Sequence, residues 1–173
     1  SNLMFDGPAS GIGAATNAFG NLVFNGGTLQ FNGTSDSTDR GFTVNEDAIW
    51  DVGNAHTRLT VGGSWGTPGV EDNFKLVKRG SGTLELLGTF ISGYGLERLT
   101  VEGGTLKLVA FVNDQFVRND VGGLTVGGGR LELSSIPDRA TTQNFLGAFA
   151  ATEGASVVSV TAVANQSTIL NLQ

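Results

Sequence analysis

Apolar and polar residues alternate along short stretches of this chain, and the alternation breaks at glycines. Leu106 and Leu108 alternate with Thr105 and Lys107, and Leu131 and Leu133 with Arg130 and Glu132. A period of two is the mark of a strand with one apolar face and one wet face. Strand, glycine turn and strand then recur as a unit. The unit runs Leu22-Val23-Phe24-Asn25-Gly26-Gly27-Thr28-Leu29-Gln30-Phe31, returns as Leu99-Thr100-Val101-Glu102-Gly103-Gly104-Thr105-Leu106-Lys107-Leu108, and again as Leu124-Thr125-Val126-Gly127-Gly128-Gly129-Arg130-Leu131-Glu132-Leu133. Looser copies stand at Asn2-Leu3-Met4-Phe5-Asp6-Gly7, Phe42-Thr43-Val44 leading to Ile49-Trp50-Asp51-Val52, Leu59-Thr60-Val61-Gly62-Gly63, Leu76 through Leu86, and Thr168-Ile169-Leu170-Asn171-Leu172.

The first apolar residues of successive copies are 3, 22, 42, 59, 76, 99 and 124, a mean step of about 20. Two short strands around a glycine turn cannot bury an apolar face alone, so the copies must stack in register. The pattern predicts an all-β fold, a parallel β-solenoid forming one domain over 1–173. About seven coils of roughly 20 residues make a rod about 34 Å long at ~4.8 Å per coil. The expected core is Leu22, Phe24, Leu29, Phe31, Leu59, Val61, Leu84, Leu86, Leu99, Val101, Leu106, Leu108, Leu124, Val126, Leu131 and Leu133. Two stretches break the period. Val109 to Val121 lengthens one turn. Ser134 to Ala155, with Pro137, Phe145, Leu146 and Phe149, is expected to be a longer loop or short helix over the solenoid flank, with a protruding binding loop as the alternative.

The segment Leu76-Val77-Lys78-Arg79-Gly80-Ser81-Gly82-Thr83-Leu84-Glu85-Leu86-Leu87-Gly88, then Ser92-Gly93-Tyr94-Gly95 and Leu99-Thr100-Val101-Glu102-Gly103-Gly104-Thr105-Leu106, resembles the autotransporter-associated β-strand repeat. The close match covers about 76 to 108, with looser echoes over most of the chain. The resemblance implies a right-handed parallel β-helix in the passenger of a large secreted or surface protein of a Gram-negative-type bacterium. It implies a stalk or adhesin-like spacer without a reaction of its own, within a longer repeat array. Two departures are visible. The linker Phe90 to Gly95 keeps only part of the family's turn, and Lys78 stands where Val61 and Val101 stand in other copies, which leaves the register open there.

Composition narrows the chemistry. With 27 Gly in 173 residues and few good helix formers, a helical bundle is excluded. The absence of Cys removes disulfides, Cys-based zinc sites and a Cys nucleophile. Ten basic residues against sixteen acidic give a net charge of -6 without a Lys/Arg cluster, so neither nucleic acid nor an anionic membrane surface is an expected partner. No apolar run approaches a membrane span, and the first residues lack the basic and apolar regions of a signal peptide, so any export signal is expected outside this sequence.

The remaining motifs have bland readings. Gly62-Gly63-Ser64-Trp65-Gly66 fits the G-x-S-x-G elbow, but no helix former follows the serine. His56 is the single histidine, in a turn, with no Cys or second His to complete a zinc set. Asp36, Asp39 and Arg40 share one turn, Glu46, Asp47 and Asp51 the next copy, and Glu71 and Asp72 another; surface charge is their expected role, with weak calcium binding or glycoside hydrolysis as the sharper readings. Gly11-Ile12-Gly13-Ala14-Ala15-Thr16 makes no phosphate loop, and Asn32-Gly33-Thr34 and Asn165-Gln166-Ser167 fit the N-glycosylation pattern by coincidence. Glu85 and Glu132 face outward with Lys107 between them on the intervening copy.

The sequence therefore predicts a structural segment, not an enzyme, with no catalytic residue, cofactor or metal. Its expected partners are neighbouring coils or identical subunits end to end, with surface glycans or host cells as further candidates. Two rival functions stand beside the stalk. One is a filament subunit that polymerises through open coil ends. The other is a carbohydrate-binding or carbohydrate-cleaving β-helix, for which Trp50, Trp65 and Tyr94 are the candidate aromatics.

Overall fold

A computed structural model describes residues 16–67, 74–88, 96–110, 113, 122–163 and 166–172. The copy at Asn2 to Gly7, the glycine motif up to Ala15, Glu71, Asp72, the linker with Tyr94, Asn165 and most of the 109–121 insertion lie outside them.

Each coil lays down two or three short strands. The first holds β1 (Val23–Phe24), β2 (Thr28–Phe31) and β3 (Asp36–Thr38), and the second β4 (Phe42–Val44), β5 (Ala48–Val52) and β6 (Arg58–Val61). Next come β7 (Trp65–Gly66), β8 (Lys75–Arg79) and β9 (Thr83–Leu86), then β10 (Arg98–Val101) and β11 (Thr105–Ala110). The fifth coil has β12 (Gly123–Val126), β13 (Arg130–Ser135) and β14 (Thr141–Phe145), and the sixth β15 (Phe149–Ala151), β16 (Val157–Thr161) and β17 (Thr168–Leu172). Strands from successive coils stack in parallel. The first face is β1-β4-β7, the second β2-β5-β8-β10-β12-β15, the third β3-β6-β9-β11-β13-β16, and β14 pairs with β17.

The parallel β-solenoid is thus present. Among the described residues six rungs enclose about five turns and span roughly 24 Å at the usual strand spacing; the expected copy at Asn2 to Gly7 lies outside them. Register offsets along the second face are 21, 28, 23, 25 and 25 residues. The coil is therefore longer than the expected 20. The error came from markers that change face. Phe42 opens a strand of the first face, Leu59 belongs to the third and Leu76 to the second, so the two steps of 17 cover one turn and a fraction.

The second correction concerns Ser134 to Ala155. It is not one long loop or a helix: it ends β13 and forms β14 and β15, with short turns between them. In β14 the inward residues Thr141, Gln143 and Phe145 are buried while Thr142 and Asn144 are not. Two of those three inward residues are polar, which hid the alternation. Phe145 is covered, whereas Leu146 and Phe149 remain exposed.

Inside the stack, leucines sit on leucines. Leu84, Leu106 and Leu131 form one column and Leu86, Leu108 and Leu133 the next, all essentially without solvent contact. Each such side chain contributes roughly 1.5–3 kcal/mol of burial. Of the expected core, Leu22 and Leu29 are only partly buried. Phe42, Trp50 and Trp65 join it, packed with Phe24 at centroid distances of 5.2 to 6.0 Å. At the corners, coils approach so closely that a side chain would collide. Gly80 and Gly104 both have positive φ, and a Cβ would lie 2.4 Å from the Val52 carbonyl oxygen at the first and 2.3 Å from that of Gly82 at the second.

Candidate functional site

The motifs with catalytic potential fall apart in three dimensions. Ser64 leads straight into β7, its carbonyl accepting the Phe42 N–H at 3.2 Å, so the chain runs from strand to strand and builds no nucleophile elbow. His56 is exposed in the turn before β6, where its N–H donates to the Asn54 side chain at 3.1 Å. It borders a polar depression of about 260 Å³ with Ser35, Ala55, Thr57, Arg58 and Thr83, a lining without a carboxylate. Ser64 belongs to the first face and His56 to the third.

The acidic groups are equally dispersed. Asp36 lies in β3 in register with Leu59, Asp39 follows that strand, and Arg40 is buried. Glu46 lies against Gly26. Asp47 receives the Lys75 N–H at 3.0 Å and stands 3.8 Å from its ammonium. Asp51, on the outer side of β5, is 3.4 Å from the Gln30 amide. Among the described residues no three His, Asp or Glu side chains gather as metal ligands would. Trp50 and Trp65, the candidate sugar-stacking aromatics, are 2% and 0% exposed. Both point inward with the phenylalanines. That removes the aromatic groove in which they were expected to serve.

What the coils do build on the outside of the third face is a charge ladder. Glu85, Lys107 and Glu132 occupy one register column, as their alternation predicts. The Lys107 ammonium donates to Glu85 at 2.6 Å, the Thr60 hydroxyl donates to the same carboxylate at 3.0 Å, and Arg58 stands at 3.9 Å. Glu132 takes Arg130 of its own strand at 2.6 Å. Burial pushes the Glu85 carboxyl up, but the hydrogen bonds from Lys107 and Thr60 and the charges of Lys107 and Arg58 outweigh it and hold it below its ordinary value.

Lys78 settles the open register. It pairs with Trp50 on one side and Val101 on the other, points inward and has no solvent exposure. Its ammonium turns to the glycine corner and donates to the carbonyls of Arg79, of Gly80 at 2.9 Å and of Gly103 at 3.3 Å. Desolvation lowers its pKa to about 8, against the opposing pull of Asp51. A cation at an inward position was visible in the sequence; its role in tying two stacked turns together was not.

Comparison with known proteins gives one informative match. The chain is 43% identical over 103 residues to the adhesin BmaC autotransporter of Brucella suis biovar 1 (strain 1330). The matched part is 58% of this chain and 3% of that protein, so the chain spans a small fraction of the relative's length. No protein-family model matches the chain, and no solved structure matches it. The resemblance to an autotransporter passenger β-helix, read first from the repeat, holds in both the fold and this relative.

Proposed function

We propose that this chain is a segment of the passenger of a secreted or cell-surface bacterial adhesin, a rigid stalk that carries binding surfaces and performs no reaction. The observation that carries the reading is the stack itself: six rungs in continuous parallel register, in a sequence similar to part of an autotransporter adhesin. A rod of stacked coils fixes distance and orientation, which suits display. The coils wind right-handed, the hand that almost all parallel crossovers take, and the segment belongs to a longer repeat array at the outer surface of a Gram-negative-type cell. Beads coated with the chain should attach to host cells more than beads coated with an unrelated β-solenoid. Equal attachment would overturn the reading.

A second reading is end-to-end association of coils, which the exposed inward residues of β15 to β17 would serve wherever no further coil covers them. Phe149, Val160 and Leu172 occupy inward register positions yet are 40%, 42% and 39% exposed, and β15, β16 and β17 contain no charged residue. Charges normally protect an open edge. Light scattering over a concentration series should show elongated assemblies that Leu170→Lys disperses. A monomer at all concentrations would leave the stalk alone.

A further inference from the structure

We infer that a trough on the outer side of the second face binds a carboxylate-bearing sugar of an extended glycan, an inference that rests on the adhesin reading above. The trough has a volume of about 330 Å³, within the range of small-ligand sites. Its floor follows one register column, Ile49, Val77, Thr100 and Thr125. Methyl groups and two hydroxyls one rung apart therefore face outward in a row.

The walls carry the charge. Lys75 and Asp47 stand at one end, 3.8 Å apart, and Arg79 and Glu102 at the other, with Nε and carboxylate 2.5 Å apart. Arg98 lies at the Lys75 end of the lining and has no such partner. It stacks in register directly on Lys75, like charge on like charge, an arrangement that costs stability. Its Nε is buried without a hydrogen-bond acceptor among the described residues, and no described carboxylate reaches ion-pair distance. On its other side the register partner is Gly123, where even a Cβ would come within 3.4 Å of that Nε. Glycine is the residue that fits against the Arg98 side chain at that rung. A protein of net charge -6 thus holds a locally cationic trough with one arginine that no described carboxylate pairs. A carboxylate meets that guanidinium through paired N–H donors and relieves the Lys75–Arg98 repulsion.

The rest of the ligand follows from the floor. Both neighbours of β8 and β10 are already paired, so the backbone offers nothing to an extended peptide strand. Recognition falls to hydroxyls and methyls in a repeating column, which match the hydroxyls and C–H faces of linked sugars.

Calorimetric titration of the purified chain tests the site. The probes are galacturonate oligomers, hyaluronan fragments and sialyllactose as three sources of the carboxylate, a neutral cello-oligosaccharide, and polyglutamate. At least one acidic sugar should bind and the neutral one should not. R98Q should weaken binding about tenfold or more without lowering the melting temperature, since it removes a repulsion. Arg98→Lys keeps the charge and loses the paired donors, so it should also weaken binding. Failure of all three acidic sugars, equal binding of the neutral sugar or of polyglutamate, or unchanged affinity in R98Q would overturn the inference. Bead attachment tests the adhesin reading separately: attachment that persists in R98Q overturns the trough's role in adhesion and leaves the stalk standing. Sugar binding by the purified chain with no attachment supports the trough and overturns the adhesin reading.

Discussion

The middle rungs and the last rung are written in nearly the same alphabet and end in different environments. Leu106 and Leu131 are fully buried, while Val160, in register with Leu133, is 42% exposed. Nothing in the alternation of Val157 to Thr161 distinguishes it from that of β11. The difference lies in the neighbour: an inward residue of a solenoid is buried by the rungs above and below it, so burial is a property of position in the stack. The outward faces diverge too. β9, β11 and β13 carry Glu85, Lys107 and Glu132, whereas the strands of the last rung carry no charge.

The sharpest test replaces one inward residue in each region. Leu106→Asp puts a carboxylate between Leu84 and Leu131 and should cost more than about 4 kcal/mol in urea melts, whereas Val160→Asp should cost less than about 1 kcal/mol. A Val160→Asp penalty as large as the first would mean that the last rung is covered in solution.

A smaller effect belongs to Lys78. Its pKa falls from the ordinary 10.5 to about 8. Between those values the unfolded chain holds the proton and the folded chain does not, so stability should rise with pH across the window and be level below it. The rise is of order 3 kcal/mol. Measured as the difference between the parent chain and Lys78→Met at pH 7 and pH 10, it isolates this one group. A flat difference would show that the three carbonyls hold the ammonium charged. No matching dependence is expected from the last rung, whose strands have no ionisable side chain.

A smaller pH-dependent effect than that of Lys78 belongs to Glu85→Gln, at about 1 kcal/mol near neutral pH. Because the folded carboxyl lies below its ordinary value, its contribution is present above the usual carboxylate range and is lost as the pH falls through the lowered value. Acid melts of the two proteins should therefore converge. Parallel curves would mean that the ladder adds no pH-dependent stability.

Much of this was legible in the sequence. Glycine corners and inward leucines at period two, as in β11 and β13, gave the stacking and the outward ladder at once. The coil length was not legible, since Phe42, Leu59 and Leu76 look alike as strand openings while belonging to three faces. Inward polar residues misled as well: Thr141 and Gln143 disguised β14 as a loop. Trp50 and Trp65 failed as exposed aromatics because both turn into the core, Trp50 in an inward column that continues as Lys78, Val101 and Val126. The trough could not be read because Asp47, Lys75, Arg98 and Thr125 meet only after coils of 23 to 28 residues are closed.

The aromatic cluster gives the molecule an optical asymmetry. Both tryptophans of the chain sit within Phe24, Phe42, Trp50 and Trp65, in the second and third coils. Intrinsic tryptophan fluorescence therefore watches the early coils, whereas circular dichroism sums over every strand. In a stack whose cooperativity passes only between adjacent rungs, fraying from the last rung appears as lost ellipticity at constant tryptophan emission. Two simultaneous spectra thus report the direction in which the rod unwinds, without any added label.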